Sequence, residues 1–355
     1  MLRSWVITEL MKTESMPLVV GLPGTTLSTE EKVILERVQP AGVILFSRNI
    51  STPEQVRELV GAIRELEPRP FVTVDLEGGM VNRLSALWGE LPTPAMAGTA
   101  GRRAVRSLGE AAGVACRNLG IHLDLAPVVD LDCPDGCLGV QGRCFSQDPV
   151  RVAILARVFN KGLAEWGVSG CTKHFPGLGQ VPTDTHEELP ILELDEAALD
   201  SHLAVFEELG PEFPAVMVAH AVVPGLGDAE QPASLSRTVV ERASKLPGSP
   251  VVLADDLEMG ALDAVGDLPE RVVAAVLARN HGVLVCNAFD RLGDIMTRLN
   301  DLSTTDSTLG TRLTEMSARM GTLRRDLLQR AAAVPAPDDA TVEQLWQQAR
   351  REAAQ

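Results

Sequence analysis

Short apolar runs rich in β-branched residues recur along the chain at 18–21, 42–46, 71–75, 122–130, 168–174, 215–220, 251–255 and 282–286. Most are apolar at consecutive positions, which is how a strand reads when both faces of its sheet are covered. Between them, at 54–66, 102–119, 148–166, 196–209 and 270–280, apolar residues fall at three- and four-residue spacing and predict amphipathic helices. This alternation predicts an α/β protein with a parallel sheet, and its eight-fold count predicts a closed (β/α)8 barrel, the TIM-barrel architecture. A doubly wound open sheet is the rival. It is disfavoured because Gly21-Leu-Pro-Gly24 follows the first run where a G-x-G-x-x-G loop would be needed.

The barrel is expected over 1–306, as a single domain, with a charged C-terminal helical extension over 307–355. A segment rich in Pro, Ala and Asp at 333–339 is expected to separate two helices of that extension. An apolar fraction of 45% is ample for one core, while 3% aromatic residues and no Tyr leave little for stacking on bases. A net charge of −16 argues against nucleic acid or an anionic membrane as partner. The N-terminal segment shows no signal-peptide pattern, and no run reaches the length of a membrane helix. Cysteines at 116, 133, 137, 144, 171 and 286 lack zinc-knuckle spacing and are expected as reduced thiols. The chain is therefore expected in the cytoplasm, as a monomer, with neither metal nor cofactor.

Barrels of this type carry their sites at the C-terminal ends of the strands. Strand three ends in Asp75-Leu-Glu-Gly-Gly, strand four in Asp130, strand five in Lys173-His174, strand six in His220 and strand seven in Asp255-Asp256. A lone Asp after a strand more often caps a loop. Several titratable groups converging on one mouth are a different matter, because a purely structural barrel has no use for them there. The loop after strand five, Lys173-His-Phe-Pro-Gly-Leu-Gly-Gln-Val-Pro-Thr-Asp184-Thr-His186, is broken by Pro and Gly and places an Asp two residues from a His. Such a loop is expected to move as a lid, and such an Asp can orient an imidazole and raise its basicity.

Lys173-His-Phe-Pro-Gly followed by Asp184-Thr-His186 resembles the signature of bacterial β-N-acetylglucosaminidases in glycoside hydrolase family 3. Further segments resemble that family in the same order: Gly42-Val-Ile-Leu-Phe-Ser-Arg-Asn-Ile, Asp75-Leu-Glu-Gly-Gly-Met-Val-Asn-Arg83, Leu125-Ala-Pro-Val-Val-Asp130, Arg143-Cys-Phe-Ser-Gln-Asp-Pro149 and Ala254-Asp-Asp-Leu-Glu-Met-Gly-Ala261. The resemblance spans about 17–289. It implies a retaining exo-glycosidase acting on a small carbohydrate, a terminal N-acetylglucosamine of cell-wall turnover fragments. It further implies Asp255 as nucleophile and His186, paired with Asp184, as general acid/base. Asp75, Arg83, Arg143, Lys173 and His174 are implied as contacts to the sugar, and Asp256 as a brace for the nucleophile's loop.

Leu76, Met80, Gly142, Leu178 and Ala254 depart from the family pattern, which bears on sugar specificity more than on catalysis. A His in place of the usual second carboxyl has a physical consequence. It is cationic or neutral through the cycle, so it opposes neither an anionic aglycone nor phosphate as acceptor. Three other readings fit parts of the pattern: a phosphorylase or general β-glucosidase on the same scaffold, a Schiff-base lyase using Lys173, and a sugar-binding barrel without catalysis.

Overall fold

The computed structural model describes residues 14–181 and 189–355. Eight strands form the barrel: β1 (Met16–Gly21), β2 (Pro40–Leu45), β3 (Phe71–Val74), β4 (Leu123–Asp124), β5 (Ser169–Phe175), β6 (Ala215–Val218), β7 (Val251–Asp256) and β8 (Gly282–Val285). They are parallel and follow one another around the ring in chain order, with β8 pairing back onto β1 at Leu18↔Val283. Each is followed by a helix: α1 (Thr29–Val38), α2 (Pro53–Arg64), α3 (Arg102–Leu119), α4 (Pro149–Glu165), α5 (Glu196–Leu209), α6 (Arg237–Ser244), α7 (Leu268–Leu277) and α8 (Leu292–Thr305). Helix starts are coded locally: Ser28 with Glu31, and Asp267 with Glu270, form reciprocal capping boxes.

The two-residue period of a strand sorts its side chains. Val20, Val72, Val216, Val218, Val252, Val283 and Val285 pack outward against the helices. Val19, Phe71, Leu123, Cys171, Ala215, Met217, Val251, Leu253 and Leu284 fill the barrel interior. Continuing the inward phase to the strand ends gives Asp75 after Phe71 and Thr73, Lys173 after Cys171, and Asp255 after Leu253. The chain thus turns from aliphatic to charged at the same level on β3, β5 and β7.

Strand four is shorter than the 122–130 run expected. Only Leu123–Asp124 ladder regularly, and a single bridge joins Val128 to Lys173. Pro127 has no N–H to donate, so the ladder cannot run through it. Two register shifts lie beside the mouth. Pairing of β5 with β6 passes from Thr172↔Val216 to Phe175↔Val218, and pairing of β7 with β8 from Ala254↔Val283 to Asp256↔Leu284. Each inserts an extra residue, which re-aims the side chains of Lys173-His174 and of Asp255.

Beyond the barrel run α9 (Ser307–Ala332) and α10 (Asp339–Ala353), separated by the Pro-rich segment as expected. Met320, Leu323 and Leu327 of α9 join the barrel-interior cluster, so this helix closes the end of the barrel opposite the strands' C-termini. On α10, Val342, Trp346, Ala349 and Ala353 repeat the four–three–four spacing and are buried beside α3. The Trp346 indole donates to the Gly89 carbonyl at 3.2 Å.

Candidate active site

Asp75, Arg83, Arg143, Lys173, His174 and Asp255 all line one cavity at the C-terminal ends of the strands. Asp184 and His186 lie outside the described residues. Six residues expected from the sequence are therefore brought together, from β5 and β7 and the loops that follow β3 and β4.

A charged network holds the cavity wall. The Lys173 ammonium donates to Asp75 Oδ1 at 2.7 Å and lies 2.7 Å from Glu77 Oε1. Arg143 lays Nε and Nη2 on the two oxygens of Glu77, each at 2.8 Å. Glu77 is the residue the sequence reading passed over. Its side chain is fully buried and its charge is balanced twice. Burial raises the pKa of this carboxyl, but Arg143 and Lys173 more than reverse the effect and hold it well below the usual range. Burial acts to lower the pKa of Lys173, and Asp75 and Glu77 overturn that, leaving the ammonium firmly protonated. An ammonium held by two carboxylates is a poor Schiff-base nucleophile, which counts against the lyase reading. The signal that could have found Glu77 is its phase, since it continues the inward series of residues 71, 73 and 75. Its delivery depends on Gly78, whose φ of 101° suits no other residue and whose added Cβ would meet the Pro92 carbonyl oxygen at 2.4 Å.

Asp130 positions the opposite wall. Its Oδ2 lies 2.8 Å from His174 Nδ1 and accepts from the His174 backbone N–H at 3.2 Å, while Oδ1 accepts from Leu178 N–H at 2.6 Å. With Nδ1–H donating to Asp130, the outer edge of the imidazole is Nε2.

Asp255 is held by its own loop. Its Oδ1 accepts from the Asp256 N–H at 2.8 Å, and Asp256 Oδ1 in turn accepts from Glu258 N–H at 3.2 Å. Burial raises the Asp255 pKa, and His174, His220, the Asp256 N–H and Lys173 together bring it below its ordinary value. The group is thus a carboxylate at neutral pH. Asp256 behaves oppositely: burial, with Glu258 and Asp255 nearby, pushes it up to about 7. His220, expected at the mouth, sits one layer beneath it. Fully buried, it contacts the Asp256 carbonyl through Nε2 at 2.8 Å and Ser234 Oγ through Nδ1 at 2.7 Å.

Aliphatic residues from the even strands complete the cavity: Ile44, Leu125, Met217 and Leu284. The result is a blind pocket with an apolar floor, a neutralised ion network on one wall and an ionised carboxylate in its lining. It suits a single polyhydroxylated ring held by fixed donors and acceptors.

Comparison with known proteins agrees with that geometry. Residues 7–315 match the model of the glycosyl hydrolase family 3 N-terminal domain. The beta-hexosaminidase of Pseudomonas aeruginosa is 36% identical over 280 residues, covering 76% of this chain and 82% of that protein. The beta-hexosaminidase of Idiomarina loihiensis is 31% identical over 344 residues, 94% of this chain and 98% of that one. Among solved structures, NagZ from Neisseria gonorrhoeae in complex with N-trifluoroacetyl-D-glucosamine superimposes with a TM-score of 0.77 at 28% identity, over 96% of this chain and 99% of its own. With the barrel, the position of its polar mouth and these matches in agreement, the chain belongs to glycoside hydrolase family 3.

Proposed function

We propose that the chain is a retaining exo-β-N-acetylglucosaminidase acting on terminal β-linked N-acetylglucosamine, with peptidoglycan turnover fragments as its substrates. The observation that carries this reading is the ionised Asp255 in the lining of a blind pocket. A pocket closed below by packed side chains admits one terminal sugar, whereas an endo-acting enzyme needs an open cleft. In the first step an Asp255 carboxylate oxygen bonds to the anomeric carbon as the glycosidic C–O bond breaks, and His186 gives its proton to the leaving oxygen. In the second, water attacks the same carbon, His186 takes a proton from it and the Asp255 carboxylate is released. Asp184 favours the protonated imidazole in the first step.

Asp75, Arg83, Arg143, Lys173 and His174 hold the sugar, the cations serving as donors to hydroxyls and to the acetamido carbonyl and the His174 Nε2 edge as an acceptor from a hydroxyl. The support for a carboxylate-bearing aglycone is the acid itself, since an imidazole adds no negative charge beside it. No helix among the described residues is long and apolar enough to cross a membrane.

The test is to compare 4-nitrophenyl β-N-acetylglucosaminide with the β-glucoside, in phosphate and in phosphate-free buffer. A higher kcat/KM on the acetamido sugar with free N-acetylglucosamine as product is expected. Equal or better turnover of the glucoside would make it a general β-glucosidase, and sugar 1-phosphate as the main product would make it a phosphorylase.

A further inference from the structure

At the end of the barrel opposite the mouth, a groove of about 630 Å³ lies between the end of α6, the α7–β8 connection and the first half of α9. Its walls carry Lys245, Arg279, Arg312 and Arg319 against Glu241 and Glu315, four cations to two carboxylates. The whole chain has the reverse balance, 32 basic to 48 acidic residues. Both carboxylates are already engaged: Glu241 accepts from Arg237 at 2.9 Å and lies 3.1 Å from Arg279, and Glu315 pairs with Arg312. Lys245 is exposed and has no carboxylate within ion-pair distance among the described residues. Arg319 donates Nη2 to the carbonyls of Ser249 and Pro250 and has no acidic partner among them. Among the described residues, two positive charges on the wall are therefore uncompensated.

Two further features are chemically specific. His281 Nδ1 accepts from the Val252 N–H at 2.9 Å, and burial lowers its pKa to about 4. It is neutral at physiological pH with its proton on Nε2, so it adds an uncharged donor to the basic wall. Arg279 occupies the position just past the end of α7, with φ 76°. The N–H of Asn280 reaches back to the Ala275 carbonyl and that of Arg279 to the Val276 carbonyl, the pattern in which glycine is the ordinary occupant. This chain places a guanidinium there instead, on the groove wall. Among the described residues no Phe or Trp lines the groove, so none of them is available to stack on a base.

We propose that this groove is a binding site for a small phosphomonoester of the non-nucleotide kind, its phosphate held by Lys245, Arg279 and Arg319 with His281 as neutral donor. Planar guanidinium donors match phosphate oxygens, and several cations from separate segments fix a dianion better than a monoanion. The site lies apart from the glycosidase pocket and does not depend on the reading of that pocket.

Isothermal titration of the full chain with glycerol 2-phosphate, with acetate at matched ionic strength as control, tests this. One-to-one binding of the phosphomonoester but not of acetate is expected. Lys245→Glu should weaken it roughly ten-fold, because it reverses the charge of an exposed group without touching the fold. Arg279→Gly should weaken binding too, while leaving the fold at least as stable because glycine suits the left-handed backbone. Arg83→Ala, in the catalytic pocket, should leave the affinity unchanged. Binding that survives both groove substitutions, that is lost in Arg83→Ala, or that acetate reproduces would overturn the proposal. So would failure of glycerol 2-phosphate alongside capture of polyglutamate, which would make the groove a docking site for acidic polypeptide.

Discussion

Arg143 lays two parallel N–H donors on the carboxylate of Glu77 at 2.8 Å each, and the same carboxylate lies 2.7 Å from the Lys173 ammonium. Two cations that would otherwise repel each other are thereby held side by side, lining the pocket. Breaking one member of a buried ion network leaves the others uncompensated, which is costlier than the network's own net contribution.

Glu77→Gln should therefore destabilise the fold by about 3 kcal/mol in urea unfolding at pH 7. The pH dependence has a definite sign. A carboxyl whose folded pKa is depressed contributes stability above its ordinary value of 4.5, and loses it as pH falls below that. The wild type should weaken steeply below about pH 4.5 and the variant much less. A variant as stable as wild type at pH 7 would show that the network is not holding the wall.

Asp256 should show the opposite slope. Its folded pKa of about 7 lies above the ordinary 3.8, so the folded state binds the proton more tightly than the unfolded chain does. The stability this one group contributes is then greatest below about pH 4, falls as pH rises towards 7 and is level above that. Asp256→Asn keeps the oxygen that accepts from Glu258 N–H and removes the buried charge. It should be more stable than wild type at pH 8, by at most about 4 kcal/mol and nearer 2 with partial solvent screening. Thermal unfolding across pH 4–8 checks this; parallel curves for the two proteins would place the titration elsewhere.

With Asp255 as the proposed nucleophile, Asp255→Ala should lower kcat at least about a thousand-fold, since it would remove the attacking atom and not a binding contact. The folded state should be little disturbed, as no ion pair ties the carboxylate to another side chain among the described residues. Mass spectrometry after treatment with a 2-fluoro glycoside inactivator should find the label on Asp255. A label on Glu77 or Asp75 would assign the nucleophile to the β3 loop.

The charged mouth was legible because strand periodicity carries through to the ends of β3, β5 and β7. Once Phe71 and Thr73 are inward, Asp75 must be; the same holds for Lys173 after Cys171 and Asp255 after Leu253. Glu77 was less visible because its placement depends on the turn at Gly78 and Gly79, both with positive φ, which local hydrophobicity does not encode. Pro127 could have shortened the strand-four expectation, since its missing donor is written in the sequence. Helix α9 was readable as a helix but not as the floor of the barrel. An apolar face at 316, 320, 323 and 327 says that something covers it, not what.

His186 and Asp184 are expected to act as one unit in proton transfer. The spacing Asp184-Thr-His186 after Lys173-His-Phe-Pro-Gly motivates the pairing, and the single strand-end carboxylate suited to attack leaves the acid role to be filled. An imidazolium is needed most when the departing oxygen is basic, because an acidic phenol leaves with little protonation. His186→Ala should thus slow the dinitrophenyl glycoside least and the methyl-substituted phenyl glycoside most, giving a steep dependence of kcat/KM on leaving-group pKa. Asp184→Asn should show the same trend more weakly, since the imidazole remains but is a poorer acid–base pair. If the two residues form one device, the double variant should be less than additively slower. Rates that fall equally for every leaving group would assign the acid to another residue, with Glu187 and Glu188 next to be substituted.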